Sequence, residues 1–256
     1  MNRSARNALA PLVAFTAFLL LWEGFVVVRH IKPYLLPKPS AIWGQFHGNA
    51  TQMVKAGRVT GWNALVGLLL GVALGLAAAF VASRFPLIQE LITPVAVAVA
   101  AMPIIVLVAI FNNLFSITSE LPRRLMVAVV TFFIVFVNVS KGLTQSDATQ
   151  LELMRSYGAS PSAVLHKVRV PNALAFLFTA LKQAAPLAVI TALVAEYFGG
   201  PLNGLGSRIS QAIAGSRDAV GWAYVLTACL VGLLFYVLTV VLESVSMPWA
   251  RHRQQS

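Results

Sequence analysis

Few side chains in this 256-residue chain are of types that do covalent chemistry, and their spacing excludes most of it. The four histidines, His30, His47, His166 and His252, are scattered without ligand spacing, so no metal site is expected. The lone Cys229 allows no intrachain disulfide. An intramembrane hydrolase would need serine and histidine to meet at depth. No histidine lies in an apolar stretch, and a Gly-x-Ser-x-Gly elbow is absent. The run Gly199-Gly200-Pro201-Leu202-Asn203-Gly204-Leu205-Gly206 is turn-forming but lacks the Gly-Lys-Ser/Thr ending of a phosphate loop, as does the rest of the chain. No catalytic residue and no cofactor is therefore expected, and any ATP-driven work belongs to another subunit. What remains is mechanical. A polar island of about 30 residues, Lys141 to Asn172, separates two long apolar stretches, and ordering it costs entropy that some partner must offset. It reads Glu152-Leu153-Met154-Arg155-Ser156-Tyr157-Gly158, then nine residues from Ala159, then Val168-Arg169-Val170-Pro171.

The elements that hold this island are set by composition. The chain is 58% hydrophobic and 11% charged, and its mean hydropathy is +0.79. A soluble domain of this size needs more polar residues to cover its surface, so an all-α, polytopic membrane bundle is expected. Six stretches approach the ~20 apolar residues of a membrane span. They are Leu9–Val28, Gly61–Ala82, Ile88–Phe111, Leu125–Ser140, Leu174–Phe198 and Val220–Val245. They leave no room for a separate soluble domain, so residues 1–256 are read as one transmembrane unit with the island as its loop. Arg3 and Arg6 before the first stretch also fit a secretory signal, but the apolar run is long, no small-residue cleavage site follows, and Glu23 suits a retained span.

Net charge is +11, which in this setting points to flanking cations at lipid headgroups. No aromatic-interleaved basic patch suggests nucleic acid. With the N-terminus inside, the inner cations are Arg3, Arg6, Arg84, Lys141, Arg155, Lys167, Arg169, Arg251 and Arg253. The outer ones are Arg29, Lys32, Lys38, Lys55, Arg58, Arg123, Arg124, Arg208 and Arg217. Nine against nine leaves the charge rule undecided.

Local patterns add detail. Leu36-Pro37-Lys38-Pro39-Ser40 cannot be regular helix, and Ser40 can cap one. Ile42, Phe46, Ala50, Met53, Val54 and Gly57 then recur at helical spacing, predicting an amphipathic helix along the interface or packed on the bundle surface. Gly67, Gly71 and Gly75 predict a tight helix crossing, within the chain or with a partner chain. Pro94 and Pro103 interrupt the third span, as a gate or as plain kinks. Lys182 and Gln183 sit in the fifth, where a charge faces protein, water or a partner, or snorkels.

The island resembles the EAA loop of ABC-importer permeases: Glu152, Gly158, Val168 and Pro171 fall in register, while Leu153 and Met154 replace the two alanines and Val170 a leucine. Further matches resemble the nitrate, sulfonate, taurine and bicarbonate branch, which includes importers of pyrimidine precursors: Trp22-Glu23, Leu36-Pro37-Lys38-Pro39-Ser40, Ala195-Glu196, Gly204-Leu205-Gly206 and Trp249. Asn63 departs from the arginine usual there, and Asn112–Pro122 is longer and more polar than the usual turn.

The resemblance implies a type I ABC-importer permease fold of about six spans in a bacterial plasma (inner) membrane, termini cytoplasmic. It implies two ABC ATPase subunits, a second permease subunit and an extracytoplasmic solute-binding protein as partners, with membrane lipid around them. Glu152, Leu153, Met154, Arg155, Gly158, Ala159, Val168 and Pro171 would then couple to the ATPase. Residues with polar groups or broken backbone at depth, namely Met102, Pro103, Asn138, Gln183 and Glu196, are candidates for the translocation path. An ion-coupled secondary transporter is the competing reading. It would need embedded acids and an internal repeat, whereas Glu23, Glu196 and Glu243 lie near span ends and no clear repeat is present.

Overall fold

The computed structural model describes residues 3–85, 90–92, 94–95, 98, 102–115 and 119–248, with side chains from residue 9 onward. Among them there is no strand. The main helices are α1 (Arg3–Val28), α2 (Pro39–Gly48), α3 (Ala50–Arg84), α4 (Ile104–Leu114), α5 (Leu121–Thr144), α6 (Ala148–Ser156), α7 (Pro161–Val164), α8 (Val170–Tyr197), α9 (Leu205–Ala214) and α10 (Asp218–Ser246). Among the described residues, five helical runs are long and apolar enough to cross a membrane: Leu9–Val28, Ala50–Arg84, Leu121–Thr144, Pro161–Tyr197 and Asp218–Ser246. The expected third span lies partly outside the described residues, including Thr93, Ala96 and Val97 around Pro94. Its later part is α4, which begins immediately after Pro103.

The bundle is held by small residues, as helices in lipid must be. A Cβ on Gly67 would stand 2.6 Å from the Arg124 carbonyl, and one on Gly71 would stand 2.5 Å from that of Ala128. Gly75 meets Val135 in the same way, so the glycine stripe seats α3 on α5 within this chain. Gly142 does the same for α5 on α8, where a Cβ would lie 2.7 Å from the Ala173 Cα. Alanines fill the rest: Ala64, Ala184, Ala185, Ala188 and Ala192 share one core cluster with Leu68, Val127 and Val189. Replacing Gly71 by valine should therefore push backbone from backbone and cost about 3 kcal/mol, the upper end of overpacking. A melting curve of the solubilised protein checks this; an unchanged midpoint would mean the crossing is looser than drawn.

The predicted amphipathic helix is broken in two. The Asn49 side chain folds back onto the Gln45 carbonyl and side-chain oxygen, both at 3.1 Å, and α2 stops. Helix α3 restarts at Ala50 and runs without a break into the span. Met53, Ala56 and Gly57 thus lie buried in the bundle. Nor does Ser40 cap α2. Lys38 holds that place with Pro39 at the first helical position. The Ser40 N–H and hydroxyl both donate to the Glu23 carboxylate, at 3.0 and 2.7 Å. Two separate sequence signatures, Trp22-Glu23 and Leu-Pro-Lys-Pro-Ser, are one clasp between α1 and α2.

The polar island is mostly helical. Irregular backbone is confined to 145–147 and 157–160, and from Pro161 the chain is helical to Tyr197. Val168 and Pro171, expected on a returning loop, belong to this run. The turn Leu165–Arg169 is π-helical, and the Val170 N–H reaches back to the Leu165 carbonyl. Pro171 follows at once. Its ring would crowd the carbonyl four residues earlier in a tight α-turn, and the wider turn accommodates it.

Candidate functional site

Helix α6 carries the island's Glu152 motif. Its sequence dictates both ends. At the start, an Asp147 side-chain oxygen accepts from the Thr149 N–H at 2.9 Å. At the finish, Gly158 takes the left-handed conformation, φ +64°. The Ala159 N–H then bonds the Met154 carbonyl at 3.0 Å, and the Gly158 N–H bonds that of Arg155 at 2.9 Å. This pair of bonds is the Schellman closure, which glycine permits without steric cost. Ser160 next caps α7, accepting from the Ala163 N–H at 3.3 Å, with Pro161 at the first helical position.

No residue of α6 is buried. Leu153 and Tyr157, four apart and so on one face, are 54% and 78% exposed. Glu152 and Arg155 are exposed beside them. The helix is thus rigidly capped and held away from the bundle, with an apolar and aromatic face uncovered. Asn172 anchors its base, donating to the carbonyls of Gly142 at 2.7 Å and Gln145 at 3.1 Å.

The five candidate path residues do not converge. Met102 is exposed and Pro103 precedes the first residue of α4. The Asn138 amide donates to the Ile134 carbonyl of its own helix at 2.8 Å. Gln183 is exposed on α8. Its neighbour Lys182 bridges to α10 through both Glu243 oxygens, at 2.9 and 3.0 Å. Glu196 is 1% exposed, inside a polar knot that sequence reasoning missed.

That knot lies at the other end of the bundle from α6, because α5 begins there and spans about 36 Å before α6 follows. At its centre Arg123, 2% exposed, donates to the Glu120 carboxylate at 2.7 Å and to the Pro201 carbonyl at 2.7 Å. It also reaches the Gly199 carbonyl and the Asn203 side-chain oxygen, each at 3.3 Å. Glu196 Oε1 lies 3.9 Å from the same guanidinium. Its Oε2 accepts from the Thr60 hydroxyl at 2.7 Å and the Gly206 N–H at 3.1 Å. Asn63 donates to Glu120 at 2.8 Å and accepts from Arg124 at 3.0 Å. Burial acts to raise the Glu120 carboxyl, but the Asn203 amide, the Arg123 charge and Asn63 outweigh it and hold the group below the usual carboxylate range.

The knot explains the glycines around it. A Cβ on Gly204 would collide with the Glu196 carboxylate, and one on Gly206 with the Leu193 carbonyl. Gly200 turns through φ +94° beneath Arg123. Ala195-Glu196 and Gly204-Leu205-Gly206 are therefore two halves of one joint. The signal in the sequence was an arginine in a turn-flanking position with no excess of acids nearby, which looks like any headgroup cation.

Comparison with known proteins fits this geometry. The family described as binding-protein-dependent transport system inner membrane component matches residues 71–251, and the chain belongs to it. It is a multi-pass membrane protein, the permease subunit of an ABC importer of small solutes. The formylaminopyrimidine transport permease protein ThiX of Halalkalibacterium halodurans is 30% identical, over 98% of this chain and 99% of that one. The bicarbonate transport system permease protein CmpB of a Synechocystis species is 25% identical, covering 78% of this chain and 75% of its own. A crystal structure of an amino acid ABC transporter superposes with a TM-score of 0.62 at 17% identity, over 77% of this chain and 95% of that one. At that identity it supports the fold alone.

Proposed function

We propose that α6 is the knob through which two ATPase subunits drive this permease, and that residues 1–256 work as one unit paired with a second permease subunit. The observation that carries the reading is a short helix capped at both ends, with Leu153, Tyr157 and Glu152 exposed and covered by none of the described residues. A partner's groove would bury that face. Glu152, Leu153, Met154 and Arg155 supply its contacts, and Gly158 and Ala159 fix its end. Val168 and Pro171 hold the helical run that carries displacement into the span. ATP hydrolysis belongs to the partner subunits.

In this reading α6 and both termini face the cytoplasm, and an extracytoplasmic binding protein delivers solute to the opposite end. Met102, Pro103 and Gln183, exposed at separate places on this chain, face the path only across a second subunit, while Asn138 stays bonded within its own helix. Glu196 borders it from within the knot. The full-length likeness to a formylaminopyrimidine permease favours a heterocyclic cargo over an oxyanion or sulfonate. The test is topological. With Cys229 replaced, a single cysteine at Ser156 should resist a membrane-impermeant maleimide in intact cells and react after permeabilisation. ATPase subunits should co-purify with the chain. Labelling from outside would overturn the assignment.

A further inference from the structure

We infer that the bundle binds one anionic phospholipid in an apolar groove between α3 and α8, at the end that carries α6. In their other halves the two helices share a core, where Ala64 and Leu68 of α3 pack with Ala184, Ala188 and Ala192 of α8. Nearer α6 each leans on α5 instead, α3 through Gly75 against Val135 and α8 through Ala173 against Gly142. A groove of about 290 Å³ opens between them, lined by Leu76 and Phe80 of α3, Val139 of α5, and Pro171, Leu174 and Leu177 of α8. Its lining is apolar throughout. These residues belong to runs long and apolar enough to cross a membrane, so at this depth a hydrocarbon chain is what meets the groove.

The mouth of the groove on the α6 side is cationic. Arg84 lies one turn beyond Phe80, and Lys167 one turn before Pro171, both exposed. Arg169, next to the wall residue Val170, is half-buried, and its Nε is enclosed without a hydrogen-bond partner. Among the described residues, ion pairs are confined to Arg123 with Glu120 and Glu196, and Lys182 with Glu243, so none of these three cations is in one. The acids of this end do not neutralise them. Asp147 caps α6, Glu152 lies on the surface of α6, and Glu243 is held by Lys182. Glu90 is exposed, six residues beyond Arg84, and pairs with none of them. Cations scattered around a bundle meet any headgroup in passing. Here they stand at the mouth of a seat for an acyl chain, and that combination selects. The chain fills the groove while its phosphate meets the three cations, as in basic pockets between spans that hold anionic headgroups. Free phosphate would gain the second contact without the first, and a zwitterionic lipid brings a cation of its own. Val170 and Pro171 form part of the wall directly after the π-helical turn at Leu165–Arg169. A seated chain therefore braces that turn against α3.

Native mass spectrometry reads the site. The full complex of permease and ATPase subunits is delipidated in detergent and given equal amounts of phosphatidylglycerol and phosphatidylcholine. Each copy of this chain should retain one phosphatidylglycerol, preferred about tenfold or more over phosphatidylcholine. Arg84→Gln with Lys167→Gln, both at exposed positions, should lower that retention about tenfold and abolish the preference. Leu174→Trp, which fills the groove and leaves the cations in place, should lower it to a similar degree. Equal retention of both lipids by the parent, or an unchanged preference in the double variant, would overturn the inference. So would a Leu174→Trp chain that keeps its phosphatidylglycerol, or displacement of the lipid by inorganic phosphate, because the cations would then hold an anion with no seated chain. The exposed pair decides the matter should Leu174→Trp not assemble. Each of these failures leaves the permease reading intact, since lipid retention is measured without solute, binding protein or ATP.

Discussion

Valine at Gly158 should leave the permease in the membrane and bring binding-protein-stimulated ATP hydrolysis down to the basal rate. The physical basis is local. A Cβ at this position meets nothing within 4 Å, so no contact is at stake. The backbone is in the left-handed region, where an L-residue costs roughly 1–2 kcal/mol, and a β-branched one more. Helix α6 has nine residues, below the ~12–15 at which an isolated helix becomes even marginal. Its two caps are most of what holds it, so loss of one at that cost melts the last turn. Coupling should therefore follow tolerance of positive φ: best retained in Gly158→Asn, intermediate in Gly158→Ala, lost in Gly158→Val. Equal rates in all three would show that the cap is irrelevant to coupling. Glu152→Lys is the companion variant. Glu152 is exposed and bonds to no side chain among the described residues, so stability should shift by no more than about 0.5 kcal/mol. On the proposal that α6 seats in an ATPase groove, coupling should still fall, because the reversed charge faces that groove.

Alanine at Arg123 is expected to have the largest effect on stability. It would leave Glu196 and the inner part of Glu120 buried without a counter-charge and remove donors from the Gly199 and Pro201 carbonyls. Breaking one side of a buried ion pair costs about 3–5 kcal/mol. Thermal unfolding of the solubilised chain, or its yield in the membrane, reads the loss. Removing the stranded charge as well, in Arg123→Met with Glu196→Gln, should recover much of it, since the penalty lies in the unpaired ion more than in the lost attraction. A double variant no better than Arg123→Ala would mean the guanidinium matters for shape alone.

These two sites differ in how far the sequence revealed them. Helix α6 was legible because its determinants are local: Asp147, Gly158, Ser160 and Pro161 each act on backbone within a few residues. The glycine stripe was legible for the same reason, since a period of four places small residues on one helix face whatever lies opposite. The all-α bundle and its apolar runs followed from hydropathy alone. The knot was not legible. Arg123 meets carbonyls 76 and 78 residues away, and Thr60 meets Glu196 across 136 residues. Spacing rules carry no information at such separations. The break at Asn49 was missed for a subtler reason. Apolar spacing continues through it, and only a side chain turned back onto Gln45 ends the helix. Lys182 reads as a charge inside the fifth span and Glu243 as one near the end of the last; 61 residues apart, they pair only once α8 and α10 lie side by side.

The wide turn at Leu165–Arg169 sets the phase of everything beyond it. It holds one residue more than an α-turn, and each residue of helix advances the azimuth by about 100°. The side chains on either side of it are therefore aligned as though that extra residue were absent. A torque applied at α6 meets a joint there that can tighten or widen by one hydrogen-bond step while the rod stays continuous. In the coupling role proposed for α6, the protein thus has a place to store twist between that knob and the α8 span, without breaking the helix that connects them.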